Sequence, residues 1–138
     1  MWVDIMMYIY ILLLMIFLHI INDYNLQGWL ASAKQKEWWT INAPRDMYKH
    51  DYIVALFEHA FSWAFMVQLP IAALDYLAFN NNNMLYSIIA CILNMFVHAY
   101  IDNEKANRRT INLVQDQIMH FAQIILTLVL FLLWIRVS

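Results

Sequence analysis

The sequence predicts an all-α protein: a four-helix transmembrane bundle with an interfacial amphipathic helix between spans one and two. Three observations carry that reading. Hydrophobic residues make up 64% of the chain and charged residues only 13%, against roughly 45–50% and about 25% in an average soluble domain. Four apolar stretches, at residues 3–21, 52–79, 84–101 and 111–134, are each long enough to cross a hydrocarbon core of about 30 Å at about 1.5 Å per residue. One glycine and two prolines suit long helices and not a loop-rich globule. A chain of 138 residues is expected to form one membrane domain.

The first stretch ends with His19 one turn inside its boundary and Asp23 at its edge. The opening Met1-Trp2-Val3-Asp4 lacks the basic start of a signal peptide, and no small-residue exit follows the apolar run, so the segment reads as a retained anchor. Residues 25–50 form the longest polar connection. Its first part mixes Leu and Trp with Lys34 and Lys36, as expected for a helix in the headgroup layer anchored by Trp29, Trp38 and Trp39. Ala43-Pro44-Arg45-Asp46 reads as a turn.

The second stretch carries Glu58 and His59 about two turns from its start, and Pro70 is expected to kink it. Asn80–Asn83 reads as a tight polar turn. Asp4 and Asp75 fall toward the opposite face and read as interfacial. In the third stretch Asn94, His98 and Asp102 form an i, i+4, i+8 stripe. In the fourth, Asn112, Asp116 and His120 form another. Cys91 stands alone in an apolar run, which excludes an internal disulfide and a CxxC site.

Basic residues set the expected orientation. The loops after the first and third stretches hold Lys34, Lys36, Arg45, Lys49, Lys105, Arg108 and Arg109, and the other side holds Arg136. The basic loops should therefore be cytoplasmic and both termini non-cytoplasmic, in a bacterial inner or host-cell membrane. With that topology His19, His59, His98 and His120 come to one depth, near the cytoplasmic boundary.

Carboxylates in a membrane span need partners: each other, water or a metal. Imidazoles with carboxylates form the mixed N/O set that suits Zn²⁺ or Mn²⁺. His19, Asp23, His59, His98, Asp102, Asp116 and His120 are the candidate ligands, too many for one tetrahedral ion and enough for two sharing a bridge. Such a site activates water and stabilises charge on a phosphoryl or acyl group. Asp23, Asp102 and Asp116 are the candidate catalytic carboxylates, and Gln27 and Lys105 the candidates for orienting an anionic group. The expected activity is a metal-dependent hydrolase acting on a lipid or other phosphoester substrate at the cytoplasmic side of the bilayer. Two alternatives stay open: a non-enzymatic phage-type or prophage-type envelope protein acting through partners, and a small ion or proton conductor. With a net charge of −2, no basic surface points to nucleic acid, and no Gly-rich phosphate loop or nucleophile elbow is present.

The ordered motifs H-x-x-x-D-x-x-L-Q-x-W-x-A-x-x-K (His19, Asp23, Leu26, Gln27, Trp29, Ala31, Lys34), a single His59, H-x-x-x-D-x-x-K (His98, Asp102, Lys105) and D-Q-x-x-H (Asp116, Gln117, His120) resemble the domain of unknown function 3307 family. Those are small bacterial and phage inner-membrane proteins. The resemblance implies an architecture and a residue pattern, not a reaction. The same pattern is similar to that of metal-dependent membrane hydrolases.

Overall fold

The computed structural model describes residues 2–79 and 83–137, with side chains from Ile5 onward. The fold is all-α. Helix α1 (Trp2–Ile21) continues as a single π-type turn over Asn22–Leu26. Two short helices follow, α2 (Leu30–Ala33) and α3 (Lys36–Asn42). After a 3₁₀ turn at Asp46–Tyr48 comes α4 (Asp51–Phe79). Helix α5 (Met84–Asn103) ends in a second π-type turn, Glu104–Arg108, and α6 (Leu113–Val137) closes the bundle.

Four helices are long and apolar enough to cross a membrane, which makes this an integral membrane protein by length and composition. Half of the α4 span is buried, against 33% or less in the other three, so α4 is the central helix. Its inner face places Ala60 and Ala64 where neighbouring helices approach, as small residues do in membrane bundles. Below them Met15, Val67, Ile71, Ile124, Leu128 and Phe131 form a dry core. The outward faces carry Leu, Ile, Phe and Val, the surface expected against lipid. Pro70 lies buried inside α4, which remains one helix across it.

The interfacial segment is helical but broken in two. Gly28, at φ 48°, turns the chain into α2. The break before α3 is pinned from α5's turn: the Asn107 side chain accepts the Lys36 N–H at 2.7 Å and donates to the Lys34 carbonyl at 3.1 Å. A continuous amphipathic helix would lose both bonds. Trp29, Trp38 and Trp39 meet edge to face, and the Trp39 indole donates to the Ala33 carbonyl at 2.7 Å.

Three sequence expectations change in the structure. Asn112 is not part of the inward stripe; it is exposed and starts α6. It forms a reciprocal capping box with Gln115, each side chain bonding the other's N–H at 3.0 Å. Asp75, expected as an interfacial side chain, is packed inside the protein, where it accepts from Asn83 just before α5, with the closest contact at 2.8 Å. Asn94 is drawn from the His98 stripe into a separate set of bonds with Thr127 and Gln123 that ties α5 to α6. The expected asparagine turn lies outside the described residues except for Asn83, as does the Asp4 side chain.

Candidate metal centre

Each helix brings its share of the site by simple periodicity. His98 and Asp102, and Asp116 and His120, are i,i+4 pairs on one face of α5 and α6. Asp23 follows His19 at the same spacing but lies in the π-type turn, a local distortion that often marks functional positions. His59 comes from the central helix. All seven side chains are buried, the least so being Asp23 at 8% exposed. Two chains that begin at this level (α4, α6) and two that end there (α1, α5) thus bring their polar residues together.

Six of the seven point their ligand atoms into one space. His59 Nε2 stands 3.4 Å from Asp23 Oδ1, 3.3 Å from Asp102 Oδ2 and 3.2 Å from His98 Nε2. His120 Nε2 stands 3.4 Å from Asp102 Oδ1 and 3.3 Å from Asp116 Oδ1. His98 Nε2 is 3.8 Å from Asp102 Oδ1 and 3.9 Å from Asp23 Oδ1. Ligands on a tetrahedral ion with bonds of about 2.0–2.1 Å stand about 3.3–3.4 Å apart, as four of these seven pairs do. Most of these gaps are longer than an N–H···O hydrogen bond of about 2.7–3.2 Å. Among the described residues, Asp23 Oδ1, Asp116 Oδ1 and His120 Nε2 are buried with no hydrogen-bond partner. Such orphans are costly, and cations held at this level would offset that cost.

Two overlapping groups could each hold an ion: Asp23, His59 and His98, and His98, Asp102 and His120. One Nε2 lone pair serves one ion, so His98 belongs to one group at a time. Asp102 is the natural bridge, since its Oδ2 faces His59 and its Oδ1 faces His120.

His19 takes a different part. Its Nδ1 accepts the Trp63 indole N–H at 2.7 Å, and its Nε2 stands 3.0 Å from Gln117 Oε1. Both ring nitrogens are engaged, so His19 backs the ligand set without entering it. Trp63 also stacks on His98 at 4.2 Å, and His98 on His120 at 4.2 Å. That stack fixes the planes of His98 and His120; among the described residues, the Nδ1 atoms of His59, His98 and His120 have no hydrogen-bond partner.

Two lysines orient the carboxylates from outside. Lys34 Nζ holds Asp102 Oδ2 at 2.5 Å and Lys105 Nζ holds Asp116 Oδ2 at 2.6 Å. In each case Oδ1 is left facing the histidines. The expected orienting residue Gln27 bonds instead to the Asp23 carbonyl, while its side chain still lines the entrance. That entrance is a polar cavity of about 520 Å³, lined by Gln27, Lys34, Gln35, Lys105 and Arg109, with Asp102 at its inner end.

No protein-family model, curated protein or solved structure matches this chain. The site is therefore argued from its own geometry.

Sequence reasoning missed Lys34, Trp63 and Gln117 as parts of the site. Lys34 and Gln117 stand within the quoted motifs, and Trp63 is four residues after His59, on the same helix face. Those were the available signals. Glu58 faces outward and is exposed, and His50 is an exposed loop residue. Cys91 is half-buried against the core.

Proposed function

We propose that the protein is a metal-dependent hydrolase of the bacterial inner membrane, acting on a lipid-linked phosphoester at the cytoplasmic leaflet. The observation that carries the reading is two overlapping groups of three buried ligand residues, drawn from four helices with their ligand atoms within 4.8 Å of one another, beneath an entrance lined with cations. The placement of basic residues beside the spans supports a cytoplasmic entrance. The resemblance to the domain of unknown function 3307 family is consistent with this architecture and assigns no reaction.

Asp23, His59, His98, Asp102, Asp116 and His120 would hold one or two ions, with Zn²⁺ or Mn²⁺ suited to the donor set. When bound, such an ion supplies Lewis acidity toward a phosphoryl oxygen and lowers the pKa of water. The chain's own groups do the rest. Lys34, Lys105 and Arg109 draw an anionic phosphate to the entrance. Asp116, oriented by Lys105, presents Oδ1 to the centre, and Asp102, oriented by Lys34, presents Oδ1 toward His120 and Oδ2 toward His59. Any carboxylate not engaged in ligation is placed to take a proton from the attacking water. The dry layer of Met15, Val67 and Ile124 beneath the site keeps bulk water to one side.

The test is elemental analysis of purified wild type beside His98→Ala and His120→Ala, with phosphoester hydrolysis measured in vesicles before and after chelation. Stoichiometric metal that both substitutions remove, and hydrolysis that the chelator stops, are the expected results. A wild type without transition metal sinks the proposal. Metal-free flux across proteoliposomes that depends on Asp116 would favour the conductor.

A further inference from the structure

A long apolar groove runs down the outside of the bundle between α5 and α6. Ala90, Leu93, Val97 and Ile101 line it from α5, and Ala122 and Leu126 from α6. Ala90 and Ala122 open it by offering only a methyl group where their neighbours carry four-carbon side chains. Its floor carries Asn94, Gln123 and Thr127, tied to one another and to the main chain, so the walls facing the membrane are apolar.

The groove runs to the level of the candidate metal centre. Ile101 precedes Asp102, and Met119, also in the lining, precedes His120. Lys105 follows the Val97–Ile101 stripe at the same spacing, in the π-type turn that continues α5. Its ion pair with Asp116 crosses from that turn to α6, about one turn beyond Ile101 and one turn before Met119, and Lys105 itself lines the polar entrance to the site.

Dimensions decide what fits. From Tyr86 to Ile101 is roughly 22 Å along a helix at about 1.5 Å per residue. A volume of about 540 Å³ drawn out over that length makes a slot narrower than a helix. A helix about 10 Å wide from a second copy does not enter such a slot. A single hydrocarbon chain does.

The charge at the upper end selects the headgroup. The Lys105 side chain is 37% exposed, and its ammonium has donors left over after Asp116 is served. Arg109 pairs with Glu37, but both side chains are more than half exposed, and ion pairs of that kind exchange readily.

We propose that the α5–α6 groove seats one hydrocarbon chain of a lipid whose anionic phosphate headgroup lies against Lys105 and Arg109. This rests on the reading of the site as a lipid phosphoester hydrolase and specifies how its substrate is held. The chain lies along the outside of the bundle, so the substrate enters sideways from the leaflet, and only the phosphate leaves the lipid layer.

The test uses the full-length protein in vesicles with a phosphatidate that carries a photoactivatable group in its acyl chain. Labelled residues are mapped by mass spectrometry. Labelling should concentrate on Leu93, Val97 and Leu126, severalfold above the lipid-facing Leu13 and Phe17 of α1. Unlabelled phosphatidate should compete, and unlabelled phosphatidylcholine should not. Ala122→Phe should reduce the groove labelling severalfold while metal content stays unchanged. If that variant does not fold, the competition experiment on the wild type still decides. Even labelling around the bundle, or equal competition by both lipids, means ordinary boundary lipid and overturns the proposal. The two ideas fail separately. A protein that holds metal and cleaves a water-soluble phosphoester but labels evenly loses only the groove. A protein that labels in the groove without metal loses only the hydrolase.

Discussion

Lys34→Met is the substitution that probes the centre most sharply. Lys34 holds Asp102 Oδ2 at 2.5 Å, with the two side chains 14% and 4% exposed. Three carboxylates, Asp23, Asp102 and Asp116, meet two ammonium groups, Lys34 and Lys105. With neutral imidazoles the centre carries one net negative charge. Removing one partner of a buried pair costs roughly 3–5 kcal/mol because it strands the other charge. Water reaches Lys34 in part, so the metal-free protein should lose about 3 kcal/mol, the lower end of that range. With a cation on Asp102 the stranded charge is neutralised, and the loss should shrink to about 1 kcal/mol, the net worth of one hydrogen bond. The difference of about 2 kcal/mol must reappear as metal affinity, roughly thirtyfold tighter in the variant.

An opposing effect exists, since loss of a group that orients a ligand weakens metal binding about tenfold to hundredfold, or roughly 1.4–2.8 kcal/mol. Two unit charges about 4 Å apart repel by roughly 4 kcal/mol at an effective dielectric near 20, and a divalent ion doubles that. The bare repulsion exceeds the orientation loss, so affinity should rise, with the roughly thirtyfold gain of the cycle as the upper bound. Thermal unfolding read by a thiol-reactive dye on Cys91, the sole cysteine, measures the stability change with and without chelator. Competition against a chromophoric chelator measures affinity. Equal destabilisation in both states, with metal affinity unchanged or weakened, would refute the claim that Lys34 and an ion share Asp102.

Other substitutions separate ligands from their supports. His19→Ala should keep stoichiometric metal and lower its affinity about tenfold to hundredfold, since His19 acts through neighbouring groups; complete loss of metal in elemental analysis would put His19 among the ligands. Trp63→Phe keeps a ring against His98 but leaves His19 Nδ1 without its donor. It should cost about 1–3 kcal/mol, read by the same unfolding assay. Thr127→Val cuts the bonds between α5 and α6 below the site. A loss of about 0.6–1.7 kcal/mol with unchanged metal content is expected, and a loss of metal would show that this cluster supports the centre. Asn112→Ala removes half of the α6 capping box and should cost about 1 kcal/mol, again without loss of metal.

The long helices were legible because span length and i,i+4 spacing are local properties. Residues 3–21 and 84–101 end within two residues of α1 and α5 in the structure. His98 and Asp102 share a face by helical geometry alone, and alternating direction of the spans brings four histidines to one level. The division of the interfacial segment was not legible. It depends on Asn107, which is 71 residues from Lys36. Asn112 was misassigned for a related reason: its spacing fits the inward stripe, but it lies at the helix start, where an unpaired N–H attracts its side chain more strongly than the bundle interior does.

The amino-acid order by itself determined that four apolar helices carry imidazoles and carboxylates at matching depths. Only the tertiary structure decided which nitrogen of each ring faces the centre. It withdrew His19 by giving both its nitrogens to Trp63 and Gln117, and it brought Lys34 across 68 residues to Asp102. Periodicity sets the direction of a side chain around its own helix axis. The occupant of the space it points into depends on the rotation and offset of neighbouring helices, which arise from packing across the whole bundle.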